Sequence, residues 1–205
     1  MNKRKFLKQA GAASVAAGLV LASRSSQAQA PGGDTKVLIV YHSVTGNTEK
    51  MAKGVAEGAN GVSGASVGLK KVGEVTADEL LACDALVVGS PIYFANMASE
   101  VKAFFDSWAL KFHFPFTEYK MRNKIGAAFV TGASISNGKE TTMQSIHAAM
   151  LINQMSVVSG GGAFGASATT GPDSPGVDEK ELGAARALGK RVAEFAAITK
   201  RGSKS

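Results

Sequence analysis

The sequence predicts an α/β domain: a doubly wound, five-stranded parallel sheet with helices on both faces. Three observations predict it. Unbroken apolar runs at residues 37–41, 85–88 and 125–130 are the mark of strands buried on both faces. The segments between them carry apolar residues at helical spacing. Strand and helix alternate five times, which calls for right-handed crossovers and a parallel sheet. In such sheets ligands bind beyond the C-terminal ends of the strands, where strand order reverses. Three polar segments, 43–48, 89–97 and 131–138, fall at three such ends.

The elements follow in order. Lys3, Arg4, Lys5 and Lys8 precede a run of small and apolar residues at 10–22, and Ala28-Gln29-Ala30 fits a small-x-small cleavage site. These are the three parts of a secretory signal peptide. The apolar run is far shorter than the ~20 residues a membrane-spanning helix needs, so no stable membrane span is expected. Removal of residues 1–30 leaves a domain at 31–199 and a basic tail at 200–205, the tail expected to be disordered. The chain's formal charge is +7 over 205 residues; the first thirty hold five basic residues and no acidic one, so the remainder carries +2. That balance points to no nucleic-acid partner. Cys83 is the one cysteine, which excludes an intramolecular disulfide and a thiolate zinc site. It lies in the apolar stretch 80–83 and reads as a small buried hydrophobe.

After the linker 31–35, strand 37–41 runs into a turn, Ser43-Val44-Thr45-Gly46-Asn47-Thr48, and a helix begins near Glu49. Gly46 permits the sharp turn and Asn47 is placed to cap the helix. Hydroxyls at a helix N-terminus make either an ordinary cap or a phosphate site that needs no lysine. A short strand is expected at 65–69. Thr76-Ala77-Asp78-Glu79 reads as a capped helix start. Strand 85–88 ends in a loop at Gly89-Ser90-Pro91-Ile92-Tyr93-Phe94-Ala95-Asn96-Met97, where Pro91 stops the ladder. Val101, Phe104, Phe105, Trp108 and Phe112 mark the core stripe of a long helix, and an aromatic-rich connection follows at 111–122. Strand 125–130 enters the polar loop Thr131-Gly132-Ala133-Ser134-Ile135-Ser136-Asn137-Gly138. Met143, Ile146, His147, Met150 and Leu151 share a helix face, Val157 and Val158 mark a last strand, and 178–199 is an amphipathic helix.

Other motifs fail on context. Gly160-x-Gly162-x-x-Gly165 has the letters of a dinucleotide fingerprint but no following helix; it reads as a flexible or substrate-side loop. Gly138-Lys139 is not a P-loop, because Ala133 and Glu140 break that pattern. The three histidines lie far apart with no carboxylate at metal spacing, and Ser43 lacks a partner set for nucleophilic catalysis.

Taken together, these residues resemble a known family. Ser43-x-Thr45-Gly46-Asn47-Thr48 is similar to the phosphate loop of flavodoxin-like FMN proteins. Residues 91–97 with the helix start Val101-Lys102-Ala103-Phe104-Phe105-Asp106, residues 138–142, His147 and the last helix resemble the WrbA-like NAD(P)H:quinone oxidoreductases. The resemblance covers nearly all of the chain after the signal. It implies a flavodoxin-like fold and FMN as cofactor. Residues Ser43, Val44, Thr45, Gly46, Asn47 and Thr48 would hold the phosphate, and Pro91, Ile92, Tyr93 and Phe94 would lie along the ring. Thr131, Gly132, Ala133, Ser134, Asn137 and Gly138 would contact the pyrimidine side and ribityl chain, and His147 would approach as a catalytic group. The implied reaction passes two electrons from NAD(P)H or another donor through FMN to a quinone, in a homodimer or homotetramer. A flavodoxin-like carrier passing single electrons to a protein partner is the alternative. The family has Arg at position 93 and Gly at 95, and its loop at 109–123 differs. The segment 2–8 resembles a twin-arginine export signal with Lys3-Arg4 in place of two arginines, which implies a periplasmic protein.

Overall fold

The computed structural model describes residues 35–172, 174 and 176–202. The expected signal peptide, most of the linker and residues 203–205 lie outside them. Strand β1 (Thr35–Tyr41) is central and buried on both faces. It pairs in parallel with β2 (Ala65–Lys71) on one side and β3 (Ala85–Tyr93) on the other. β3 pairs with β5 (Ile125–Gly132), β5 with β6 (Ser156–Val157), and the sheet order is β2-β1-β3-β5-β6. The chain therefore goes outward from β1 to β2, returns past β1 to β3, and reverses strand order between β1 and β3. That is where a ligand crevice is expected.

The helices cover both faces. α1 (Asn47–Asn60) and α5 (Glu179–Gly202) pack together on one face over Val37, Ile39, Val87 and Phe129. α3 (Ser99–Leu110) and α4 (Lys139–Leu151), with the short α2 (Ala77–Ala82), cover Leu38, Val40, Leu86, Val88, Ala128 and Val130 on the other. Alternate residues of each strand thus feed two separate cores, as period-2 geometry requires. Each fully buried Leu, Ile or Phe contributes roughly 1.5–3 kcal/mol of burial. The α2 start is capped as expected: Thr76 Oγ1 accepts from the Glu79 N–H while the Glu79 carboxylate accepts from the Thr76 N–H at 2.9 Å. Cys83 is buried and free, and burial pushes its thiol up to about 11.

Four expectations about elements change. Pro91 does not end the strand: it pairs with Thr131, and the chain then folds into a hairpin with β4 (Asn96–Met97). A strand edge needs an N–H only from alternate residues, so one proline is tolerated in the parallel ladder. The last edge is split between β6 (Ser156–Val157) and β7 (Ala166–Thr169), both pairing with β5. β7 falls within a segment whose Gly, Ser and Thr content reads as loop. Next, Gly160 and Gly161 lie against Leu188 and the carbonyl of Ala184 on α5, and Gly165 against the carbonyl of Ala128. This glycine run is a close-packing device against α5 and β5, not a substrate loop. Finally, α5 continues to Gly202, with Lys200 donating to Asp84 Oδ2 at 2.8 Å. The first residues of the expected disordered tail are thus helical.

Candidate functional site

At the end of β1 the chain reverses through Gly46, whose φ is +86°. An L side chain rarely takes that conformation, so Gly46 rather than Asn47 is the residue that caps α1. Asn47 enters as the first helical residue, and its amide donates to Thr45 Oγ1 at 3.1 Å. The Gly46 N–H donates to Ser43 Oγ at 3.1 Å. No side chain caps α1, which leaves its first-turn N–H groups open at the positive end of the helix dipole. A Cβ on Gly46 would meet nothing within 4 Å, so the loop fronts open space. Amides, hydroxyls and a helix N-terminus around a void are the donor set of an anion cradle.

The second loop is a tight hairpin. Ile92 pairs with Met97 and Tyr93 with Asn96, so Phe94 and Ala95 alone make the turn, at φ 48° and 60°. Both central residues of such a turn favour Asn and Gly, so this one is strained. Phe94 is fully exposed at its tip. Ser90 anchors the hairpin: buried, it donates to the Pro91 carbonyl at 2.7 Å and accepts from the Ala98 N–H at 2.9 Å. The third loop is braced by Asn137. Its side chain donates to the Ser134 carbonyl and accepts from the Ala133 N–H, both at 3.0 Å, and lies over Gly132. Gly138, at φ +88°, then starts α4.

The three loops share one crevice. Thr48 and Thr131 join their buried hydroxyls at 2.7 Å, linking the first loop to the third. A Cβ on Gly138 would come within 2.7 Å of Ala95, so the third loop is pressed against the second. A fourth segment, absent from the sequence reading as site, closes the side. Gly171 lies against the Ala133 carbonyl, Gly176 faces Asn47, and Lys50 Nζ donates to the Val177 carbonyl at 2.8 Å. Only Ser174, Gly171 and Gly176 hinted at it, as turn residues. Ser90 was equally silent, because a buried serine in an apolar strand has no pattern of its own.

His147 is not brought to the crevice. It lies eight residues into α4 from Lys139, about 12 Å along the axis. Its neighbours on the same face are Met143, whose sulfur reaches Gly165, and Met150, whose sulfur reaches Gly126. His147 is therefore level with the first half of β5, whereas the crevice is at its end. Its Nε2 has no partner, and burial alone pulls its pKa below the usual histidine range. The helical spacing that put it beside Met143 also carries it down the core face. The aromatic connection at 111–122 lies beside the second loop: Phe114 and Phe116 line a groove together with Asn96 and Met97, and Phe112 lines a cleft with His42, the residue before the first loop. Backbone bonds to Trp108 and, through Asn123, to Gln154 hold it there. Among the described residues no group of three His, Cys, Asp or Glu could hold a metal, and no helix is long and apolar enough to cross a membrane.

The three loops are uncharged by sequence. Segments 43–48, 89–97 and 131–138 contain no Asp, Glu, Lys, Arg or His, and Tyr93 is their one titratable residue. Three polar loops with a phosphate cradle in the first, aromatics in the second and no acid–base pair among them define a cofactor-binding flavodoxin-like protein. Comparison with known proteins agrees. Residues 70–170 match the NADPH-dependent FMN reductase family. The chain is 36% identical to an NAD(P)H dehydrogenase (quinone) of Chromohalobacter salexigens, over 80% of this chain and 98% of that protein. It is 35% identical to NAD(P)H dehydrogenase (quinone) 3 of Rhizobium meliloti, over 82% and 95%. Its fold is similar to the crystal structure of a flavodoxin, WrbA-like protein from Agrobacterium tumefaciens, at TM-score 0.68 and 28% identity over 81% and 99% of the two chains. The chain belongs to the NAD(P)H dehydrogenase (quinone) family.

Proposed function

We propose that this protein is an FMN-dependent oxidoreductase that passes two electrons from NAD(P)H, or from another donor once exported, to a quinone. The observation that carries this reading is the joining of the three loops into one crevice through Thr48, Thr131, Ala95 and Gly138. The relatives' names supply donor and acceptor. The donor set fits the cofactor. The open amides of α1 with Ser43, Val44, Thr45, Gly46, Asn47 and Thr48 hold its phosphate. Pro91, Ile92, Tyr93 and Phe94 flank the ring, and Thr131, Gly132, Ala133, Ser134, Asn137 and Gly138 hold the ribityl chain and pyrimidine edge. FMN, when bound, supplies the electron chemistry; the chain supplies position and electrostatics. Ser90 and Asn137 keep the two ring-side loops in place. With no acid or base in the three loops, protons exchange with solvent, and Phe94 at the exposed hairpin tip offers an aromatic face to each substrate in turn.

The finer points are proposals on separate grounds. The first thirty residues act as a twin-arginine-type export signal and deliver the folded, loaded protein to the periplasm, where a donor other than the cytoplasmic nicotinamide pool would serve. The α3–α4 face supports self-association: a groove of about 870 Å3 is lined by Met97, Phe105, Trp108, Phe114 and Ile152 and leaves Trp108 Nε1 without a partner. The test of the main reading is direct. The purified chain should show a flavin visible spectrum, or acquire one with FMN, and should reduce benzoquinone with NADH or NADPH. A chain that stays colourless and inert after reconstitution ends it.

A further inference from the structure

Lys139 is the only Asp, Glu, Lys or Arg that is buried among the described residues, at 6% exposure. Its position is unfavourable in three ways. It is the first residue of α4, so its cation stands at the positive end of a helix dipole. It is shut away from water, and burial pulls its pKa below the usual lysine range. It also has no carboxylate at ion-pair distance. Its Nζ donates to Thr169 Oγ1 at 2.5 Å, a neutral partner for a group with three N–H donors.

The nearest carboxylates are committed or exposed. Glu181 attracts Lys139 through space, but its oxygens accept from the Thr169 N–H at 2.6 Å and the Asp178 N–H at 3.1 Å. Glu140 acts from the solvent side. A lysine serving only to tie α4 to β7 would be better as a glutamine, which makes the same bond without a buried charge. The charge therefore needs its own explanation, and its location supplies one. Thr169 is the register partner of Gly132, one strand spacing (~4.8 Å) away, and Gly132 begins the third loop. Lys139 is thus the one buried full charge, among the described residues, beside three loops that carry none.

We propose that Lys139 sets the reduction potential of the bound cofactor, as a fixed ammonium that stabilises the negative charge the ring gains on reduction. This rests on the FMN reading. Two electrons and one proton convert the oxidised ring to a reduced ring carrying one negative charge; Lys139 stays protonated throughout and only supplies the opposite charge. Lys139 is itself buried, so that attraction is less screened than one between charges in open water. Lys139 is accordingly a potential-setting residue, not a proton donor, and Thr169 with Glu181 behind it holds the ammonium in place.

The experiment compares the purified chain with Lys139→Gln and Lys139→Arg. The readouts are the midpoint potential of bound FMN by spectroelectrochemical titration, and the dissociation constants of oxidised and reduced FMN. In Lys139→Gln the potential should fall, and reduced FMN should bind at least tenfold more weakly while oxidised FMN binds within about threefold of the parent. Lys139→Arg should stay near the parent potential. Thermal unfolding of the FMN-free Gln variant should be unchanged or raised, because a buried, unpaired charge is gone. An unchanged potential in Lys139→Gln overturns the inference, as does equal weakening for both FMN forms, which marks a purely structural tie. A parent chain that binds no FMN fails the cofactor reading instead. Should Lys139→Gln not fold, Thr169→Val, which frees the ammonium while keeping its charge, must lower the potential by less than any charge-removing change at 139; a potential equal to the parent's in both Thr169→Val and Lys139→Met overturns it too.

Discussion

At the residue scale, the Thr48–Thr131 pair does most to tie sequence to site. Two hydroxyls 83 positions apart meet at 2.7 Å in a buried setting. Thr131→Val removes one and leaves the other unsatisfied, a cost of about 1–3 kcal/mol. We predict a fall in unfolding free energy of that size, read from urea titration, and a loss of FMN affinity of at least tenfold by fluorescence titration, with the fold retained by circular dichroism. His147 makes the opposite case. Its folded pKa lies below that of an unfolded histidine because burial disfavours the cation. As pH falls through the unfolded value of ~6.5, the unfolded chain takes up a proton that the folded chain refuses, so stability drops. His147→Leu should reduce the loss of stability between pH 8 and pH 5, read from denaturant midpoints. It should leave FMN affinity unchanged, since the imidazole lies far down α4. A tenfold loss of FMN binding would contradict the placement.

At the element scale, the strained hairpin and the third loop form a matched pair. Ala95 holds φ 60° against Gly138 at φ +88°. Ala95→Gly removes the αL penalty of roughly 1–2 kcal/mol and should raise the melting temperature by a few degrees. Gly138→Ala adds that penalty and drives a Cβ to 2.7 Å from Ala95. It should cost 2 kcal/mol or more, by the order of overpacking penalties, and abolish FMN binding. The two variants measured together separate strain that the hairpin carries from space that the glycine provides. Element existence was readable here because buried strands and capped helices leave local marks, such as Thr76 with Glu79. The split edge was not readable: β6 and β7 are two and four residues long, and their strand state comes from pairing with β5 rather than from their own composition.

At the scale of the whole molecule, two cores flank one sheet, and an apolar groove runs along the α3–α4 face. Leu110, Phe116 and Ile152 stand 78%, 69% and 67% exposed along the α3–α4 face, a patch that water tolerates poorly. We predict that the purified chain sediments as a dimer or larger. Phe116→Glu combined with Ile152→Glu should yield monomers by sedimentation equilibrium, with FMN still bound. A monomeric parent chain would remove the self-association proposal and leave the crevice untouched. The export proposal is tested separately: deletion of the folded-protein translocase in the host should abolish periplasmic accumulation, and unimpaired export would refute it.

The order of strands and helices, the sites of the polar loops and the absence of charge from those loops were all legible in the sequence. Each depends on local periodicity or composition, which the chain carries whether folded or not. Which loops touch was decided only in three dimensions. The hydroxyl pair and the wall made by Gly171, Gly176 and Val177 come from contacts between residues tens of positions apart, and the Ser90 anchor and the remoteness of His147 from the way the hairpin and α4 fold. Lys139 shows the division most plainly: its letter is visible beside Gly138, yet its burial and its lack of a carboxylate partner follow from how α4, β7 and α5 close around it.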